Sequence, residues 1–293
     1  MDNHLINLYT QKRIDYSQVK KNCEFYLKDI NPVDVSIIIP VMNRESFHAP
    51  LVKHLKDAII KHSEKSYSIT FVEHSDTPKH KLLCEESNTN YIWIKKSTTE
   101  PFNKCLAMNV GSLYSNSSKY YLFHDIDLLM TPSYFIDIFK NLNRVHDGCA
   151  LQTFAYRRIL VMDQTMSDQI INGVVLIDSL TPGINPPHSN PGAPGGSIFI
   201  NANSFKAVGG YDAEFFHSYS PEDAFFFHKL QLVTGIEGCN DPVIEAYHMY
   251  HAYMGGSNPE KPKMEEIWSE FRNMQSSNKL EFINHIAAEF KKL

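Results

Sequence analysis

The chain is poor in cysteine, and none of its five, at positions 23, 84, 105, 149 and 239, stands in a Cys-x-x-Cys pair. An odd number at wide spacing argues against a disulfide scaffold and against a zinc knuckle. A reducing compartment fits best, so the expected location is cytoplasmic. Long apolar runs are also missing. The longest, "VSIIIPV", falls far short of the ~20 residues that cross a bilayer. The opening "MDNHLINLYTQKR" lacks the apolar core and small-residue cleavage site of a secretory signal. There is no basic excess: 28 Lys and Arg face 33 Asp and Glu, a net charge of −5, which gives nucleic acid no electrostatic footprint. Glycine is missing from "PVMNRES", the loop after the first apolar strand, which argues against the phosphate-cradling loop of nucleotidyl and phosphoryl transferases.

What is present is a globular composition, 43% hydrophobic and 21% charged, in 293 residues, enough for one large domain or two ordinary ones. Residues 1–31 read as a polar helical lead-in that "INPVD" breaks. Strand-like "VSIIIP", "YSITFVEH", "YIWIK" and "YYLFHDIDLL" then alternate with helix-like segments, the first of which repeats Leu51, Leu55, Ala58 and Ile59 at helical spacing. That alternation predicts an α/β fold with a mostly parallel central sheet, helices on both faces, and a ligand crevice beyond the carboxyl ends of the strands. Past residue 150 come strand-like "CALQTFAYRRILV" and then "TPGINPPHSNPGAPGG", residues 181–196, too long and aperiodic for a simple connection. This segment is either disordered or a lid, and the lid reading expects it to close over bound substrate. Residues 261–293 form an amphipathic helical segment with Ile267, Phe271, Met274, Leu280, Ile283, Ile286 and Phe290 on one side. It packs on the core or, with Lys291 and Lys292, touches a membrane surface.

Three constellations carry chemistry. In "YYLFHDIDLLM", residues 120–130, an apolar run holds Asp125 and Asp127. Unpaired buried carboxylates cost several kcal/mol. Strand alternation would aim both at one cation while Ile126 points to the core; the alternative is a strand ending in a polar turn that Asp127 caps. "HMYH" supplies His248 and His251, which with a carboxylate suit a borderline divalent ion. In "SPEDAFFFHKL", Glu222 and Asp223 fall in the first turn of a helix, where the dipole favours ionised carboxylates.

The order "VSIIIPVMNR", "FNKCLAMNVG", "YYLFHDIDLLM", "PGGSIFINANSFKAVGGYD", "SPEDAFFFHKL", "HMYH" resembles that of the β-1,4-galactosyltransferases and their bacterial relatives, from about Val33 to Pro259. The resemblance implies a GT-A fold, with 32–130 as the nucleotide-binding half and 131–260 as the acceptor and metal half of one catalytic domain. It implies that Pro40, Val41 and Arg44 line the uridine and diphosphate, with Met42 where the family has a further arginine. Phe102 and Lys104 match donor-site residues, Lys104 replacing the more usual arginine. Asn109 and Gly111 match a helix bracing the site. Asp127, His251 and His248 match the metal shell for Mn2+, His248 standing where animal enzymes often have methionine, which admits Mg2+ as well. Asp125 matches a ligand of donor hydroxyls, Gly195 and Gly196 a pair beside the donor sugar, Asp223 the catalytic base, Glu222 its acceptor-binding neighbour, and Tyr219 an aromatic platform normally filled by tryptophan.

The implied activity is metal-dependent, inverting transfer of galactose or N-acetylgalactosamine from a UDP-sugar to a glycan or lipid-linked glycan, with a β-linkage. A small residue at Ala193 keeps UDP-GalNAc beside UDP-Gal. The alternatives are a retaining GT-A enzyme using another UDP-sugar and a non-catalytic nucleotide-sugar-binding relative.

Overall fold

A computed structural model describes residues 4–28, 30–62, 65–130, 134, 153–154, 158–175, 188–191, 195–218, 220–235, 239–240, 245–252 and 258–293. The chain opens on α1 (His4–Lys12), α2 (Tyr16–Lys21) and a short strand, β1 (Cys23–Tyr26). α2 begins where the Asp15 carboxylate accepts from the N–H groups of Ser17 and Gln18, donors that a first turn leaves unpaired. The lead-in is therefore not purely helical, as the polar texture of 1–31 suggested. β1 extends the main sheet, and Leu5, Tyr9 and Tyr16 are buried in the core.

Four parallel neighbours follow: β2 (Val33–Val41), β3 (Tyr67–Ser75), β4 (Asn90–Lys95) and β5 (Ser118–His124), connected by α3 (His48–His62), α4 (Lys81–Ser87) and α5 (Lys104–Tyr114). Ile37 lies opposite Ile69 on one side and Leu122 on the other. β2 is buried from Val35 to Val41, as a strand must be when crossover helices cover both faces of its sheet. Its alternate residues serve two cores. Val35, Ile37, Ile39 and Val41 pack with α3, whereas Ile38 packs with α5.

The rest of the chain adds β6 (Leu128–Met130), β7 (Thr153–Phe154), β8 (Arg158–Val161), α6 (Gln164–Ile171), β9 (His188–Pro191), β10 (Ser197–Asn201), α7 (Ala202–Ala207), α8 (Glu222–Thr234), β11 (Cys239–Asn240), β12 (Glu245–His248), α9 (Lys261–Asn273) and α10 (Ser276–Phe290). The large sheet runs β1-β4-β3-β2-β5-β10-β7-β11 and a smaller one runs β6-β12-β8-β9. The centre of the large sheet is parallel, as the alternation predicts, while β1 and β10 join it antiparallel.

Two sequence expectations change here. The apolar run 120–130 is two strands in different sheets, and Asp125, Ile126 and Asp127 form the turn between them. Ile126 still points into the core, which is why the run looks continuous in sequence. The 261–293 segment is two helices, and Met264, Ile267, Phe271, Phe282, Ile283, Ile286 and Phe290 are buried against the protein itself, whereas Leu280 is 38% exposed. The core-packing reading is realised for these residues. No helix among the described residues is long and apolar enough to cross a membrane.

Candidate active site

The carboxyl ends of the parallel strands open into a cleft of about 1130 Å³. One wall is the loop after β2. Its Asn43 and Arg44 both take left-handed backbone conformations (φ 62° and 67°), and neighbouring residues hold them there. His80 Nε2 donates to the Asn43 carbonyl (2.8 Å), and Lys79 Nζ donates to Asn43 Oδ1 (2.7 Å). His80 is itself fixed by the fully buried Glu73, which accepts from the N–H groups of Lys79 (3.1 Å) and His80 (3.0 Å), from Ser75 Oγ (2.9 Å) and from Tyr91 Oη (2.6 Å). These donors explain how a carboxylate survives there.

A second wall is the entry to α5. Asn103 caps the helix, its Oδ1 accepting from the Leu106 N–H at 2.8 Å, while its own N–H donates to His74 Nδ1 at 3.0 Å. Burial pushes His74 down to about 4, so the ring stays a neutral acceptor. Phe102 and Lys104 are thereby presented to the cleft. Lys104 Nζ reaches Asp125 Oδ1 (2.9 Å) and the Gly195 carbonyl (3.1 Å). Burial alone would lower the Lys104 pKa, but Asp125, Asp223 and Glu222 together hold it above the ordinary lysine value.

The turn after β5 separates its two aspartates. Asp125 faces Lys104, whereas Asp127, only 3% exposed in its side chain, meets Arg44, His251 Nε2 at 3.2 Å and His248 Nε2 at 3.7 Å. The idea that both carboxylates aim at one cation is thus corrected: a turn, unlike a strand, does not keep residues i and i+2 on one side. β12 delivers the histidines, pairing His248 with Leu128, and the Met249 N–H donates to the Asp127 carbonyl at 2.8 Å.

One ligand atom from each of Asp127, His248 and His251 lies within 4.8 Å of the others. His251 Nδ1 donates to the Ala252 carbonyl (3.0 Å), which leaves Nε2 its lone pair. Burial pushes His248 down to about 4 and lowers His251 as well, keeping both in the neutral form that binds metals. One carboxylate and two imidazoles suit a borderline divalent ion, so the residues fit the metal that the resemblance implies.

Glu222 and Asp223 open α8, where Ser220 Oγ donates to Glu222 Oε2 at 2.7 Å. The Asp223 carboxylate lies against Gly195, whose φ of 134° suits glycine and whose missing Cβ leaves the space Asp223 occupies. A Cβ on Gly196 would come within 2.8 Å of Leu128 Cδ2. Asp223 Oδ1 is buried with no hydrogen-bond partner among the described residues. Burial raises Asp223 well above the ordinary carboxylate range; Lys104 opposes this, and Glu222 and Asp125 add to it. Glu222 is raised by burial too. Burial and the neighbouring carboxylates thus work against the ionised form that a helix N-terminus favours.

The cleft gathers Pro40, Val41, Arg44, Phe102, Lys104, Asp125, Gly195, Gly196, Glu222, Asp223 and His248, with Asp127 and His251 joined through their contacts. Asn109 and Gly111 stand behind it in α5; Asn109 Nδ2 donates to the Tyr211 carbonyl at 2.7 Å. Tyr219, Ala193 and most of the 181–196 loop lie outside the described residues. The cleft also contains Asp76, Lys79 and Lys96, which the sequence reading passed over. Their signal was position, since each follows the end of β3 or β4 as Arg44 follows β2.

No protein-family model matches the chain, and no curated protein matches it in sequence. Solved structures do. GalNAc-T7 with UDP, GalNAc and Mn2+ matches with a TM-score of 0.53 and 13% identity, covering 88% of this chain and 55% of that one. TarS of S. aureus matches with a TM-score of 0.50 and 18% identity over 88% and 43%. The catalytic domain of Drosophila β1,4-galactosyltransferase 7 in complex with xylobiose matches with a TM-score of 0.45 and 13% identity over 80% of each chain. Likeness at such identities speaks for architecture. The chain has the GT-A fold of the nucleotide-sugar glycosyltransferases.

Proposed function

We propose that the chain is a metal-dependent, inverting glycosyltransferase that moves galactose or N-acetylgalactosamine from a UDP-sugar to a hydroxyl of a glycan or lipid-linked glycan, forming a β-linkage. One observation carries the reading: a carboxylate and two neutral imidazoles, two cationic side chains and Asp223, whose Oδ1 has no partner among the described residues, converge on a single cleft. The fold likeness to GalNAc-T7, whose structure contains UDP, GalNAc and Mn2+, supports the UDP-sugar donor and the divalent metal in this reading.

In this reading Pro40, Val41 and Phe102 line the nucleoside, and Arg44 and Lys104 face the diphosphate. Asp125 accepts from donor hydroxyls. Asp127, His248 and His251 would hold a divalent ion such as Mn2+, which supplies Lewis-acid charge to the leaving diphosphate. Asp223 takes the proton from the acceptor hydroxyl that Glu222 orients, and attack from the face opposite the leaving group inverts the anomeric carbon.

The test is a panel of UDP-sugars with Mn2+ and mixed glycan acceptors, read for UDP release and for the anomeric configuration of the product. Turnover of UDP-Gal or UDP-GalNAc to a β-linked product, abolished by EDTA, is expected. An α-linked product sinks the inverting assignment, and failure to bind or turn over any UDP-sugar sinks the whole reading.

A further inference from the structure

The cluster that would bind the metal already has a cation against it. Asp127 Oδ2 is the oxygen that both His248 Nε2 and His251 Nε2 face, and the same oxygen is in contact with Arg44 Nη1. Arg44 Nη2 lies 3.4 Å from His251 Nδ1. A guanidinium and a divalent ion cannot share that position, because both need the same oxygen and they repel one another.

Asp127 gains from this contact, since a carboxylate with 3% exposure lacks hydration and needs a counter-charge. Lys104 is unsuited to that role, being held between Asp125 and the Gly195 carbonyl. Arg44 is able to leave, because a third of its side chain is exposed and it projects into the cleft. Its backbone is not able to. The left-handed Asn43–Arg44 pair is fixed by His80 at the Asn43 carbonyl and by Lys79 at the Asn43 side chain, and the Arg44 carbonyl accepts from the Phe47 N–H at 3.0 Å. Exchange therefore requires only rotation of a side chain about a rigid anchor.

We infer that Arg44 is a resident counterion that occupies the cation position until a nucleotide diphosphate draws it away, so that metal and nucleotide bind as a coupled pair. The inference rests on the reading of Asp127, His248 and His251 as metal ligands. A diphosphate entering the cleft offers the guanidinium two oxygens for its two nitrogens. Once Arg44 turns to it, Asp127 is open to the metal. Linkage requires the reverse as well: bound metal strengthens nucleotide binding to the same degree.

The experiment measures Mn2+ affinity of the full chain by EPR of the free ion, with and without UDP, for wild type, Arg44→Gln and Arg44→Gly. Glycine suits the backbone at this position, so that variant guards against a folding defect. Wild type should bind Mn2+ weakly alone and strongly with UDP. Both variants should bind Mn2+ alone about tenfold more tightly, the scale of one partly buried ion pair. Their gain in Mn2+ affinity on adding UDP should shrink accordingly. Suppose instead the variants bind Mn2+ alone no better than wild type, while wild type binds it with UDP and His251→Ala abolishes that. The counterion role is then overturned and the metal site stands. If wild type takes up no Mn2+ even with saturating UDP, the ligand assignment itself fails and the inference with it.

Discussion

Asp223 shows how burial sets chemistry at a single side chain. Its pKa lies above the usual carboxylate range, through lost hydration first and then the neighbouring Glu222 and Asp125. A base must have shed its proton, so kcat/KM should rise with pH through that raised value, placing the acid limb above the ~4 of an ordinary aspartate. Asp223→Asn should keep UDP binding and lose roughly 10²–10⁴ in turnover. A pH profile of kcat/KM beside UDP titrations of the variant checks both, and normal turnover by Asp223→Asn removes the base assignment. The sequence placed this residue at a helix start, because Pro221 and the acidic pair are a local signal. It was silent on depth, which is set by Gly195 and Lys104 arriving from elsewhere in the chain. The contact between Arg44 and Asp127 was equally illegible, since the two sit on loops after different strands and only the sheet order brings them together.

Among the elements, α5 shows how tightly the sheet and its helices are matched. A Cβ on Gly111 would lie 2.5 Å from Ile38 Cγ2 and 3.1 Å from Val72 Cγ2, so the helix rests directly on β2 and β3. Gly111→Ala gains about 1 kcal/mol of helix propensity, but overpacking costs about 1–3 kcal/mol. The cost should win because both neighbours are β-branched and stiff at χ1. A melting curve should show Tm lowered by about 1–2 °C per kcal/mol lost; an unchanged or raised Tm would mean α5 can shift outward. The parallel centre was legible because strands buried on both faces read as solid apolar runs and amphipathic helices keep their own period. The break between β5 and β6 was not, because Ile126 stays 3% exposed and hides the turn from any periodicity. β1 escaped notice for a different reason: with intermediate or exposed residues throughout, it is a strand only because β4 offers it an edge.

Across the whole molecule, the N-terminal and C-terminal helices meet on one shared core. Arg13 pairs with Glu289 at 2.7 Å, and Lys229, fully buried, pairs with Asp212 at 2.6 Å while donating to the carbonyls of Val208 and Gly210. Glu214 sits in the same region, accepting from the Ile14 N–H at 3.4 Å. Burial pushes it up from 4.5 to about 7, with Asp212 adding to the rise and its own backbone N–H opposing it. A carboxyl with a raised pKa in the folded state holds its proton more tightly there than in the unfolded chain. Its contribution is fully present below about 4.5 and is lost as pH rises through about 7. Glu214→Gln keeps an acceptor for Ile14 and never ionises, so it should match wild type near the lower limit and exceed it in the alkaline range by roughly 1–3 kcal/mol. Denaturation of both proteins at the two ends of this window checks the claim. An equal difference at both ends would show that the charge of Glu214 is solvated, and that the junction of the lead-in with the C-terminal helices is open to water rather than sealed.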